Sequence, residues 1–328
     1  MDINQSEVAQ LKEYREKVYK KSFDAKLVIE FLRFLRITKL RSTRLVADLG
    51  STLLSKYFSK ITTENEVTNT FSVCVAYDIV EQVVLALLEC NKAKEASEFI
   101  EDRLVKKFGE KSVRVSRLRA MQLECSNTFG KANDIYVGVL EKYPADQLTM
   151  KRQVSILKSK GQYQQAITML NTYLQAFMID PEAWLELAHL NIKLLSFKNA
   201  MFCYEELILA APINYIYYVK YAELIYSIGG AENYIVALKY YTHSLELNNH
   251  TSQDNAIPPT NLTALYGIIM CIFSFCNTHG YGTTKLREPQ IELYQWCQSE
   301  LRAITAKYTP HKLSIVNAFI QHTDVLNK

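Results

Sequence analysis

The chain of 328 residues contains only 10 glycines and 7 prolines. So few backbone breakers exclude a collagenous or low-complexity chain, and 48% hydrophobic with 22% charged residues describes a folded protein rich in long helices. Its seven cysteines, at positions 74, 90, 125, 203, 271, 276 and 297, are an odd number with no C-x-x-C pair. Neither a disulfide framework nor a zinc site is expected from them, and free thiols in a reducing compartment are the simplest reading. The opening stretch MDINQSEVAQLKEYREK lacks the apolar core of a secretory leader. The longest apolar run, Leu262 to Cys276, is 15 residues long and includes Thr263, Gly267 and Ser274. A membrane span needs roughly 20 residues, so this run is expected to be a core helix.

Catalytic signatures are missing as well. There is no H-E-x-x-H, no nucleophile elbow and no phosphate loop; the nearest mimic, GYGTTK at Gly280 to Lys285, has the wrong glycine spacing. The six histidines, at 189, 243, 250, 279, 311 and 322, are not paired at ligand spacing with Cys or Asp. Glu205 and Glu206 are adjacent, so on a helix they point about 100° apart and cannot share a substrate. No enzyme activity, cofactor or metal is expected. Net charge is +4, yet residues 1–60 and 101–160 each carry 13 basic against 7 acidic side chains. Neither block forms a continuous run, which fits solvated helix faces, with a phosphate or anionic-lipid surface as the alternative. The 21 Tyr and 14 Phe lack the interleaved basic residues that stacking on single-stranded nucleic acid requires, so they are read as core.

What the chain does have is a repeat. Pro181 to Pro212 reads PEAWLELAHLNIKLLSFKNAMFCYEELILAAP, with Trp184, Leu187, Ala188, Ala200, Tyr204 and Pro212 at the offsets of a tetratricopeptide (TPR) helix-turn-helix unit. The register extends outward. Ala132, Ala166 and Ala200 are 34 residues apart, Phe129, Tyr163 and Phe197 share one offset, and Tyr136, Leu170 and Tyr204 another. Small residues at the alanine offset let the two helices of each unit approach closely. A further unit places Tyr218, Tyr221 and Ala222 on helix A, then Gly229 and Gly230 at a looser turn, then Ala237 and Tyr241 three residues later than strict spacing. A degenerate first unit runs from Phe71 to Glu89 and on through Ala93, Ala96 and Ile100.

Residues 1–60 are expected to be helical, with Val28, Phe31, Leu32 and Leu35 at i, i+3, i+4 and i+7, covering the first repeat. ITTENEVTNT, residues 61–70, is expected to be a polar connector. Asn248 to Thr260 and Asn277 to Leu286 are expected loops, with terminal helices over Leu262–Cys276, Glu288–Lys307 and Lys312–Leu326. The fold class expected is all-α, a TPR-type helical repeat solenoid with non-repeat helices at both ends. Its parts are a helical lead-in and connector over 1–70, the solenoid over 71–250, and a helical cap over 251–328.

A solenoid offers a concave surface lined by helices A, on which a partner segment can lie. Repeat offsets place Lys151, Ser155, Lys158, Leu185, His189, Ile192, Val219, Glu223 and Tyr226 there. A groove that grips an acidic chaperone tail needs converging Lys, Arg and Asn at fixed helix A offsets. With repeats beginning at 113, 147 and 181, those places hold Arg117, Met121, Arg152, Glu182 and Glu186. One repeat on they hold Lys151, Ser155, Glu186, Ile216 and Lys220. Neither set makes the clamp, and its glutamates would repel such a tail. A free adaptor for a soluble partner such as a chaperone is therefore the second reading.

Several features go beyond the general repeat pattern: DPEAW joined to FCYEEL, YAE followed by the GG-x-EN insertion, and the closing L-x-LNN. In this combination the chain from roughly Lys107 to Cys276 resembles the cytosolic TPR subunit, subunit two, of the endoplasmic reticulum membrane protein complex. The resemblance implies a non-catalytic scaffold on the cytosolic face of the endoplasmic reticulum, supporting insertion of tail-anchored and multi-pass proteins. It also implies partners: cytosolic segments of transmembrane subunits of that complex, and a soluble subunit. Membrane association would then be indirect, with no nucleic acid involved.

Overall fold

The computed structural model describes residues 5–20, 23–64, 73–251, 261–279 and 286–324. Among them every regular element is a helix: α1 Gln5–Lys20, α2 Ala25–Thr38, α3 Thr43–Glu64, α4 Val73–Glu89, α5 Ala93–Phe99, a π segment Ile100–Val105, α6 Lys106–Phe108, α7 Val113–Cys125, α8 Phe129–Lys142 and α9 Gln147–Ser159. They continue with α10 Tyr163–Ala176, α11 Pro181–Lys193, α12 Phe197–Ala210, α13 Tyr215–Ile228, α14 Ala231–Thr251, α15 Leu262–His279, α16 Glu288–Tyr308 and, after a 3₁₀ turn, α17 Leu313–His322. Helices A begin at 113, 147, 181 and 215, and helices B at 129, 163, 197 and 231. Both sets keep the 34-residue period, including the unit whose small residue, Ala237, is displaced by three.

Local chemistry sets these boundaries. Three of these helices A, α9, α11 and α13, start on a capping side chain at one register position. Asp146 accepts from the Thr149 N–H, Asp180 from those of Glu182 and Ala183, and Asn214 from that of Ile216. Pro181 then occupies a first-turn position where its missing N–H costs nothing. Helices A end instead on a left-handed residue, again one per repeat: Asn127 (φ 57°), Gly161 (φ 74°), Leu195 (φ 57°) and Gly229 (φ 79°). At Asn127 and Leu195 the following residue closes the turn, Thr128 N–H to Leu123 C=O at 2.9 Å and Ser196 N–H to Asn191 C=O at 2.8 Å.

The chain divides into two compact units, Met1–Lys160 and Gly161–Lys328. In the first, α3 lies along α4, and the core gathers Phe31, Leu32, Leu53, Leu54, Val80, Val83 and Leu87. Gly50 is there because any Cβ would run into the Val83 side chain. Helices α2 and α3 thus pack on α4. Arg114 reaches back from α7 to Asp78 and Glu81 on α4, tying two successive helices A. In the second unit, Ala166 and Ala200 are fully buried, and the apolar α15 packs against α14 and α16. Gly267 sits against the face of the buried Tyr241 ring. The Tyr294 hydroxyl donates to the Thr323 carbonyl at 2.6 Å, fixing the last turn of α17.

Three expected loops begin later than composition suggests. Helix α3 continues through residues 61–64, α14 through Thr251 with Asn248 buried, and α15 through His279. Each extension is a polar end added to a helix whose apolar face is already packed, and packing overrides weak propensity. The remaining parts of those expected loops, 65–70, 252–260 and 280–285, and the end of the last expected helix, 325–326, lie outside the described residues.

Candidate functional site

In the first unit, three successive helices A and the turns beside them line an open cavity of about 360 Å³. Its apolar lining comes from Leu85 and Leu88 on α4, Met121 on α7 and Phe129 at the start of α8; Arg152, Ser155 and Ser159 face it from α9. Glu124 and Arg152 form an ion pair across adjacent helices A. The Tyr136 hydroxyl rises from α8 to donate to Glu124 at 2.5 Å. Burial, and then the neighbouring carboxylate, hold the Tyr136 phenol well above its ordinary pKa, so it remains a neutral donor. Cys125 lies beside this triad, its thiol 3.3 Å from the Asn91 Oδ1 and raised in pKa by burial.

Among the expected groove residues, Ser155 lines this cavity, Lys151 is half-buried beside it in sequence, and Lys158 is exposed. In the second unit, α11 carries half-buried Leu185 and Ile192 with exposed His189. On α13, Glu223 pairs with Lys220 at 2.7 Å, and the Tyr226 hydroxyl lies 2.9 Å from that of Ser274 on α15. Val219 is packed in the core at 4% exposure, out of reach of any partner.

The cavity residues that sequence reasoning missed were within its reach. The nine expected residues form three offset series, 151/185/219, 155/189/223 and 158/192/226. Carried one repeat back, the same series reach Arg117, Met121 and Glu124. Met121 and Glu124 both line the cavity, while Arg117 turns aside to Asp146 at 3.2 Å. Asn91, in a turn, and Cys125, the last residue of α7, share with Ser159 a further 34-residue offset that lies outside the three expected series.

Among the described residues no group of His, Cys, Asp and Glu could hold a metal ion, and no helix is long and apolar enough to cross a membrane. Paired helices in a 34-residue register, with helices A lining a groove, define a tetratricopeptide-repeat protein. Among solved structures, the C-terminal part of a TPR repeat-containing protein from Cytophaga hutchinsonii superposes with a TM-score of 0.53 at 14% identity. That match covers 82% of this chain and 97% of the other, and it speaks to the fold alone.

The particular family follows from sequence comparison. Residues 109–240 match the EMC2 TPR-like repeat domain. The ER membrane protein complex subunit 2 of Dictyostelium discoideum is 43% identical over 330 residues, covering 99% of this chain and 98% of that protein. Subunit 2-B of Xenopus laevis is 32% identical over 262 residues, covering 80% of each. The chain belongs to the ER membrane protein complex subunit 2 family.

Proposed function

We propose that this chain is a non-catalytic scaffold subunit of the endoplasmic reticulum membrane protein complex, placed on its cytosolic face. In this reading it holds cytosolic segments of the transmembrane subunits and a soluble partner subunit, and so supports insertion of tail-anchored and multi-pass proteins. Its membrane association is indirect. The observation that carries the reading is the identity to the Dictyostelium discoideum subunit over 99% of the chain, which takes in the lead-in and cap as well as the repeats. The groove supports it physically, since an apolar floor with a few fixed polar groups suits an extended segment or helix of a partner. Within this scheme residues 1–70 cover the first repeat, 71–250 present the groove, and 251–328 cap it. The helix A side chains Lys151, Ser155, Lys158, Leu185, His189, Ile192, Glu223 and Tyr226 are the ones assigned to partner contact.

The test is affinity purification of the tagged chain from detergent-solubilised membranes, with crosslinks mapped by mass spectrometry. Integral membrane proteins are expected in the eluate, crosslinked at helices A. Recovery from cytosol alone, with no membrane protein attached, would instead make the chain a free adaptor and overturn the proposal.

A further inference from the structure

We propose that the outer face of α12 is a docking surface for an amphipathic helix of a partner protein, one carrying two apolar residues seven apart with Lys or Arg between them. This face lies on a helix B, away from the helix A groove, and the inference stands independently of the function proposed above.

The repeats themselves supply the control. At the register position of Phe202 the other helices B carry Asp134, Thr168 and Val236, and at that of Leu209 they carry Glu141, Gln175 and His243. Five of those six are polar, as an outer solenoid face in water should be. On α12 both are large and apolar, and they are 54% and 74% exposed. The repeat does not need them there, because helix packing uses Ala200, Cys203, Tyr204 and Leu207 on the opposite side. Ile213, four residues past Leu209 and 73% exposed, continues the row beyond the helix end.

The face is also prepared. The Trp184 indole N–H is fixed on the Met178 carbonyl at 2.9 Å, and its ring meets Phe202 edge-on at 5.9 Å, which restrains the phenyl group before any partner arrives. Glu206 lies between Phe202 and Leu209 on the same helical face. It is half-buried, and no ion pair to it is found among the described residues. Glu205 beside it accepts the Tyr221 hydroxyl at 2.7 Å and adds to the negative potential. Lys198, one turn before Phe202, is a basic residue on this face but lies outside the Phe202–Leu209 span.

Charge and spacing together select the occupant. Residues seven apart on a helix are about 10.5 Å apart along the axis, so a second helix lying along α12 matches Phe202 and Leu209 with its own i and i+7 positions. A cation near its midpoint then pairs with Glu206 as the apolar residues exclude water around them. An acidic or uncharged helix would bury Glu206 without compensation.

The experiment uses the full chain and two fluorescent helical peptides with Leu at i and i+7, one with Lys and one with Glu between them, followed by anisotropy. The Lys peptide is expected to bind at least about tenfold more tightly than the Glu peptide. Leu209→Asp, and separately Phe202→Asp, should weaken the Lys peptide by about tenfold or more while circular dichroism stays unchanged, since both side chains are exposed. Glu206→Lys should exchange the preference, binding the Glu peptide in place of the Lys peptide. Absence of saturable binding, equal binding of both peptides, or no exchange by Glu206→Lys would overturn the proposal. So would concentration-dependent dimerisation in sedimentation velocity that Leu209→Asp abolishes, which would make a second copy the occupant. Binding to phosphatidylcholine or phosphatidylserine vesicles that is lost in Leu209→Asp would likewise overturn it in favour of a lipid surface.

Discussion

Tyr136 donates its hydroxyl proton to Glu124 at 2.5 Å, beneath the ion pair that Glu124 makes with Arg152. Tyr204 occupies the same register position two repeats on, but the place of Glu124 is taken there by Ile192, and its buried hydroxyl has no hydrogen-bond partner among the described residues. Removing the two hydroxyls should therefore have opposite consequences. Tyr136→Phe should cost about 1.5–3 kcal/mol, the value of a hydrogen bond to a charged acceptor. Tyr204→Phe should leave stability unchanged or raise it by up to about 1 kcal/mol, because it removes an unsatisfied polar atom. Urea unfolding of both variants measures the contrast, and equal losses would mean that the two hydroxyls are equally well satisfied.

Ala166 and Ala200 have no accessible surface. Ala200→Glu or Ala166→Arg must place a charged chain between packed helices, where overpacking alone costs roughly 1–3 kcal/mol and the unpaired charge adds to it. Both variants should show a lowered thermal midpoint or fail to fold, and a wild-type midpoint in either would contradict the repeat register.

Gly267 is in mid-helix, where alanine would ordinarily stabilise by up to about 1 kcal/mol. Here a Cβ would enter the space of the Tyr241 ring. Gly267→Ala should therefore destabilise, by about 1–3 kcal/mol, and a stabilised protein in thermal melts would show that α14 and α15 are further apart.

Leu195 closes its turn at φ 57°, the position where the neighbouring repeats use Asn127, Gly161 and Gly229. An exposed leucine gains little there and bears the left-handed strain. Leu195→Asn should raise stability by about 0.5–1 kcal/mol, readable as a higher denaturation midpoint.

Burial pushes the thiols of Cys203, Cys271 and Cys297 up to about 12. At about pH 8 roughly one such thiol in ten thousand is ionised. A thiol titration with Ellman's reagent should leave all three unreacted until the protein is denatured, and rapid native labelling of any of them would mean that its helix opens readily.

Much of the architecture could be read without coordinates, because each repeat repeats its own chemistry. The small residue that lets helix B approach recurs every 34 residues at Ala132, Ala166 and Ala200, and aromatic or large residues recur at two further offsets, so one well-marked unit at Pro181–Pro212 located its neighbours. The cavity in the first unit was only partly legible. Ser155 follows from an offset; Met121 and Glu124 follow from two of the expected offsets taken one repeat earlier; Asn91, Cys125 and Ser159 share a 34-residue offset of their own, outside the three expected series. Where composition alone was the guide, at 61–64, 248–251 and 277–279, polar residues suggested loops, yet the helices continued because their apolar faces were already packed.

Sequence by itself therefore determined the class of element, the period and the family, since these depend on interactions within a few residues or on identity along the chain. Tertiary structure decided what lies between repeats: that Val219 is core while Ser155 faces a cavity, that Glu124 is held by Tyr136 and Arg152, and that Phe202 stands preset on α12 beside Trp184. The physical reason is that a register position states which way a side chain leaves its own helix. Whether it then meets a neighbour, a cavity or water depends on the residues that other helices bring to the same place.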